Sequence, residues 1–294
     1  MSRSKAFGVL AGLGLSLAAG GSARAEMVAD SGKLLLTGGV TNVEGVGGGG
    51  LANWAVITGY ETRDAIGANV HATYVNLPDF ELRTFGAGVG LYDRVELSYA
   101  RQAFDTGAAG ARLGLGSGFT FHQDILGVKV RVLGDAVYDQ DRWRPQVAVG
   151  AQFKSNDRGA IVRAVGGKKD SGVDYYVAAT KVLLNRSLVL NGTVRVTKAN
   201  QFGLLGFGGD RNDDYQPQFE GTASYLFSKR LLGGVEYRGK PDNLGFARER
   251  DAFDAFVAYA VNKNLSVTAA YVDLGDIATF KDQRGLYLSI QAGF

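Results

Sequence analysis

The chain has 294 residues, with 32 Lys and Arg against 29 Asp and Glu, 43 Gly, 4 Pro and no Cys. The lack of Cys excludes disulfides, thiol chemistry and Cys-ligated zinc. The near-balanced charge gives no support to nucleic-acid binding, which calls for a basic stripe, and no stretch beyond residue 25 is apolar enough for a spanning helix.

Residues 1–25 read as a secretory signal peptide. Arg3 and Lys5 supply a positive start, residues 6–20 a short apolar core, and Ala23-Arg24-Ala25 a small-residue cleavage site. Cleavage after Ala25 would remove three basic residues and no acid, leaving 29 against 29 in residues 26–294. With no Pro- or Ser-rich linker, those residues read as one domain.

From there the chain breaks into segments of about ten residues with alternating polarity, the length a tilted membrane strand needs. Fourteen are expected, near 33–41, 52–61, 66–75, 82–91, 94–103, 121–136, 143–154, 173–184, 187–197, 216–227, 230–239, 252–262, 265–273 and 285–294. In the ninth, Leu188, Leu190, Val194 and Val196 fall on one face and Asn191, Thr193, Arg195 and Thr197 on the other. In the last, Leu286, Leu288, Ile290, Ala292 and Phe294 share the apolar face. A strand presents alternate residues to opposite sides, so one side suits lipid and the other a polar interior. Links alternate short and long, and an even strand count puts both termini on the short-turn side. Twelve or sixteen strands satisfy the same parity. Outward aromatics are expected in two girdles, with Tyr60, Phe227, Tyr259 and Phe294 near the short turns and Trp54, Tyr74, Tyr99, Tyr176, Phe219 and Tyr271 near the long links. The fold class is therefore all-β, a single closed antiparallel transmembrane β-barrel.

Few motifs carry chemistry. Gly45–Gly50 satisfies G-x-G-x-x-G, but a strand pattern follows where a dinucleotide site needs a helix, so an outside loop is expected. Asp210, Asn212, Asp213 and Asp214 present oxygens, yet Tyr215 and Gly221 stand where a calcium loop needs Gly and Glu. Of the two histidines, His71 points inward, and His122 would need Ser117 or an acid within reach to act in a hydrolase. No catalytic residue, metal ligand or cofactor is assigned.

The expected lumen-lining residues are Glu96, Lys129, Arg131, Asp135, Lys181, Arg195, Glu220, Glu236, Arg238 and Asp254, with Lys154 beside them. Their mixed signs argue against a strongly ion-selective ring. Val177, Leu183, Leu226, Leu232 and Phe256 are expected to face inward as an apolar minority. Asp210, Arg211, Asn212, Asp213 and Asp214 are candidates for a constriction if the 198–215 link folds inward, and the 104–118 link is a second plug candidate.

The stretches GLYDRVELSYAR (90–101), GDAVYDQD (134–141), KANQFGLLGFGGDRND (198–213) and KPDNLGF (240–246) resemble an uncharacterised proteobacterial family, domain of unknown function number 3034. The resemblance implies a Gram-negative exported protein and brings no activity or site residue. The expected partners are outer-membrane lipid and the barrel-assembly machinery, the latter through the final strand ending in Phe294. The expected function is a passive channel or uptake protein for small solutes of unspecified identity. The alternatives are uptake of a hydrophobic compound and a plugged barrel with a structural or surface-interaction role.

Overall fold

The computed structural model describes residues 36–37, 40–139 and 142–294, so the expected leader lies outside the described residues. Twelve antiparallel strands form a closed barrel: β1 (Ile66–Asn76), β2 (Glu81–Leu91), β3 (Val95–Asp105), β4 (Thr120–Leu133), β5 (Gln146–Asn156), β6 (Ser171–Leu183), β7 (Leu188–Thr197), β8 (Gln216–Ser228), β9 (Leu231–Arg238), β10 (Ala252–Ala260), β11 (Leu265–Asp273) and β12 (Arg284–Gly293). Two short helices, α1 (Ala109–Arg112) and α2 (Gly159–Ala164), sit in links at one end. Each strand pairs with its sequence neighbour, and β12 closes on β1 from Asn69↔Gly293 to Asn76↔Leu286. Closure leaves no ladder edge unpaired, the condition for a sheet to live in hydrocarbon. The chain end completes it: Phe294 N–H donates to the Ala68 carbonyl at 2.8 Å, and the Phe294 carbonyl accepts from Ala68 at 2.9 Å and from Tyr60 at 3.0 Å.

The outer wall is oily. Phe85, Leu126, Phe153, Phe219, Val235, Val257 and Tyr271 are exposed on it, and their strand neighbours point inward, buried except for the half-buried Gly86, Gln218 and Gly234. Soluble monomers do not present apolar surface on this scale. The expected registers of β4, β7 and β8 are those observed, with Lys129, Arg195 and Glu220 inside.

Twelve strands stand where fourteen were expected, because the first two segments are not in the wall. The described part of 33–41, and all of 52–61, lie inside the barrel, and Trp54 and Tyr60, expected on the outer face, are buried there. Their alternation is real, but the apolar face meets protein rather than lipid. The even parity survives, with β1 starting and β12 ending on the short-turn side. Short links are 92–94, 184–187, 229–230 and 261–264; the 134–145 link on that side is longer than the expected 139–142 turn. At the opposite mouth lie 77–80, 106–119, 157–170, 198–215, 239–251 and 274–283.

The β6 register is also inverted from expectation. Asp174, Tyr176, Ala178, Thr180 and Val182 are buried inside, while Val177 lies outside with Lys181 and Leu183 on the same face. The expected register would have put the Asp174 carboxylate in lipid. Lys181 avoids that penalty at the short-turn rim, where its ammonium donates to the Asp139 carbonyl at 2.8 Å and also to the Arg142 carbonyl. Lys181, Val177 and Leu183 are therefore not lumen residues, and Tyr176 is not a girdle residue.

Val257 is exposed near the middle of β10. Val257→Arg should lower the unfolding free energy in lipid vesicles by about 2–4 kcal/mol, the cost of a lipid-facing Arg near the bilayer midplane; urea titration of the reconstituted barrel checks it, with Val257→Ala as the control.

Candidate functional site

The lumen is filled by Val40–Glu61, every residue of which is buried. Apart from isolated bridges, Thr41↔Gly47 and Gly48↔Asn53, this plug has no ladder of its own. Buried N–H and C=O groups need partners, and the inward-facing wall side chains supply them. Glu96 accepts the amides of Gly47 (3.1 Å) and Thr58 (2.8 Å), Glu236 that of Leu51 (2.7 Å), and Glu220 that of Asn53 (2.8 Å). Cations serve the carbonyls: Lys129 donates to Gly47 at 3.0 Å and Val56 at 2.8 Å, and Arg238 to Leu51 at 2.9 Å. Neutral groups complete the set, with Thr193 donating to the Asn53 carbonyl at 2.6 Å, Gln146 to Ala55 at 2.7 Å, and the Trp54 indole to Thr222 at 2.9 Å.

The glycine run, expected as an outside loop, lies at the plug's centre. A Cβ on Gly49 would sit 1.8 Å from Glu236 Oε1, and one on Gly47 2.9 Å from Glu96 Oε2. Bare backbone lets these carboxylates reach amides, which is why side chains are absent here. Asp254 faces the same place, 3.0 Å from where a Gly50 Cβ would be. His71 lies inside as expected, against Gly45 and Gly86.

Six buried charges close into a ring. Glu44 of the plug meets Lys154 (2.5 Å), Lys154 meets Asp174 (2.7 Å), Asp174 meets Arg195 (3.4 Å), Arg195 meets Glu220 (2.7 Å), Glu220 meets Arg238 (3.4 Å), and Arg238 returns to Glu44 (2.7 Å). Signs alternate all the way round. Five members belong to the wall and one to the plug. Glu44 and Asp174 were missed from the sequence: the first sat in a segment read as a loop, the second on a strand read in the wrong register.

Lower down, Arg131 binds Asp93 at 2.7 Å and Asp135 at 2.9 Å. Burial works to raise the Asp135 carboxyl, but the amides of Tyr138 and Val137, and then Arg131, outweigh it and hold it below the usual range. Nine of the ten expected lumen residues thus lie buried inside or at the lumen's short-turn end; eight of them bond plug, wall or turn, Asp254 faces the glycine run, and Lys181 is the exception.

Above the ring, the 198–215 link folds inward, but with Ala199–Phe207 rather than the expected Asp210–Asp214. Asp210, Arg211, Asp213 and Asp214 are exposed and Asn212 is half-buried. Two of them tie this link to the 239–251 link, Asp210 accepting the Gly245 amide at 2.7 Å and Arg211 pairing with Asp242 at 3.0 Å, while Asp213 pairs with Lys198 of its own link at 3.3 Å. Gln201 and Phe202, in left-handed backbone (φ 47° and 60°), form the inward tip. Glu249 holds it, accepting from the Gln201 amide at 3.0 Å and side chain at 2.7 Å. Burial pushes the Glu249 carboxyl above its usual range, against the pull of Lys240.

Between this tip and the outer links lies a cavity of 450 Å³, in the size range of small-molecule sites, lined chiefly by Phe80, Phe104, Phe121, Phe202, Leu204 and Ile277. The 104–118 link contributes Leu113 and Leu115, and α2 contributes Ile161 and Ala164. Phe80 stacks on Phe104 with centroids 5.1 Å apart. Polar lining is confined to a few groups such as Thr106, Arg112, Gln201 and Thr279. The expected apolar minority inside the barrel, of which Leu232 and Phe256 are buried there, does not line this cavity.

His122 lies on the outer face of β4 with Nδ1 3.1 Å from Asp157 Oδ2, both side chains about a third exposed (32% and 37%). The Ser117 hydroxyl turns to the Gly107 carbonyl.

The family model described as "Protein of unknown function (DUF3034)" matches residues 37–291. No curated protein matches the chain. Among solved structures, the KdgM porin in complex with disordered oligogalacturonate is 10% identical, over 77% of this chain and 99% of that one, with a TM-score of 0.50. The NanC porin is 11% identical over 77% and 98%, TM-score 0.48. The outer membrane phospholipase of Salmonella typhi is 11% identical over 81% and 92%, TM-score 0.45. The likeness to the first is one of fold: the chain shares the closed antiparallel barrel of that porin.

Gly49→Val should unseat the plug while leaving the wall intact. Limited proteolysis should then cut within 40–61, with no change in the heat-modifiable gel mobility of the barrel; Gly192→Ala, which meets nothing within 4 Å, should cut like the parent. Arg195→Met leaves Asp174 and Glu220 each short of a buried cation and should cost about 3–5 kcal/mol in denaturant titration.

Proposed function

We propose that this chain, which belongs to the family of unknown function DUF3034, is an uptake barrel that captures small hydrophobic compounds at its outer mouth. The observation that carries the reading is the 450 Å³ apolar cavity. Its walls come from the long links, which bacterial outer-membrane barrels place outside the cell. An apolar molecule that enters leaves water for a lining of Phe and Leu, worth about 25 cal/mol per Å² of apolar surface buried. The few polar lining groups orient a weakly polar tail without demanding a charge.

A passive water-filled passage is supported less, because the plug occupies the lumen and its hydrogen bonds use the polar lining. The cavity also supports capture over a purely structural role, which has no use for one. The barrel transports and does not catalyse in this reading, and the His122–Asp157 pair is a strut between β4 and the 157–170 link. The leader is removed after Ala25, and β12, followed by Phe294, is the segment offered to the assembly machinery.

Reconstituted protein should bind N-phenyl-1-naphthylamine at one site per barrel. Leu204→Asp, which puts a carboxylate in the apolar lining, should weaken binding more than about tenfold, since an unpaired buried charge costs several kcal/mol. Equal binding by parent and variant in a fluorescence titration would remove the basis for capture.

A further inference from the structure

The geometry points to Phe202 as a coupler: filling of the apolar cavity releases the plug by opening the Glu44 latch. This rests on the cavity being a capture site and adds how that site is linked to the lumen.

Phe202 belongs to two layers at once. One side of it lines the cavity. Its ring lies over the Arg238 guanidinium at 4.4 Å, and its carbonyl accepts from Lys154 at 3.4 Å and Gln123 at 3.2 Å. Arg238 and Lys154 are the two cations that grip Glu44 (2.7 and 2.5 Å). Phe202 and the single plug member of the ring therefore share two cations, Arg238 and Lys154, while Lys240 also stands over the Phe202 ring at 5.5 Å.

The floor is also loaded. Gln201 and Phe202 are successive non-Gly residues in left-handed backbone, a conformation that persists only where surroundings hold it. Those surroundings are Glu249 on one side and Arg238 and Lys154 on the other. A ligand that fills the cavity displaces the floor toward the lumen, which relaxes its left-handed backbone and drives the Phe202 ring against Arg238 and its carbonyl against Lys154, moving both cations off Glu44. Glu44 is the ring's movable member, since the other five sit on β-strands. Without Glu44 the ring holds three cations and two acids, an imbalance that water entering a vacated lumen would relieve.

A ligand shifts such an equilibrium only by binding one state better. The cavity with its floor withdrawn is larger and continuous with the lumen, so a long apolar molecule favours the released state. Linkage then requires the reverse effect: loosening the plug must tighten ligand binding by the same factor.

The chain carries a reporter for this. Of its two tryptophans, Trp54 is buried in the plug and Trp143 is 88% exposed in the 134–145 link. Trp143→Phe leaves Trp54 alone. In the full-length mature protein in nanodiscs, 1-dodecanol, neutral and transparent at tryptophan wavelengths, should raise acrylamide quenching of Trp54. Glu44→Gln should raise it without dodecanol and should bind dodecanol at least about fivefold more tightly, the lower end of usual coupling factors. Phe202→Ala should bind dodecanol while losing the quenching response. If dodecanol binds the parent but Trp54 stays shielded, or if Glu44→Gln changes neither quenching nor affinity, the coupling is wrong and capture stands. If dodecanol binds the parent no better than Leu204→Asp, both fall.

Discussion

Everything inside this barrel depends on one requirement: a stretch of backbone without secondary structure, buried at membrane depth, must find a partner for each of its polar groups. The wall meets it with charged side chains used as hydrogen-bonding arms. Glu96, Glu220 and Glu236 take plug amides, and Lys129 and Arg238 take plug carbonyls. A buried charge is costly unless paired and hydrogen-bonded: Glu96, Glu220, Lys129 and Arg238 pair along the wall and bond the plug, while Glu236 is held by hydrogen bonds from Leu51 and Thr222. Wall and plug therefore stabilise each other.

The same arithmetic explains the ring. Lys154, Arg195 and Arg238 are almost wholly buried. Each touches two carboxylates, and for Lys154 and Arg238 one of the two is Glu44. The wall alone would carry a surplus cation at this level. Glycines supply the other half of the fit, since the plug passes so close to Glu236 and Glu96 that any side chain at Gly49 or Gly47 would collide with them.

The interior is thus layered by polarity. Ion pairs and hydrogen bonds fill the middle, and the apolar cavity sits above them among the long links. Phe202 marks the boundary, with carbon facing the cavity and its carbonyl and ring face turned to cations. The layering keeps a greasy site within reach of water outside while its floor rests on charge.

The wall was legible in the sequence because its grammar is local. Alternation in Leu188–Thr197 places Arg195 inside whatever else the chain does, since the alternative sets a guanidinium in lipid. Even so, β6 was misread: Lys181 and Asp174 demand opposite registers, and only a rim location for Lys181 resolves the conflict. Residues 52–61 carry the same alternation as a wall strand, so sequence pattern could not separate lipid from plug contact. The barrel class, the even parity and the inward set of charges were determined by the sequence itself, through period-two patterning and the cost of charge in hydrocarbon. The plug, the ring and the cavity were decided by tertiary structure, because their partners are far apart in the chain, as Glu44 and Arg238 are at 194 residues, and no local pattern encodes which buried backbone a distant carboxylate will serve.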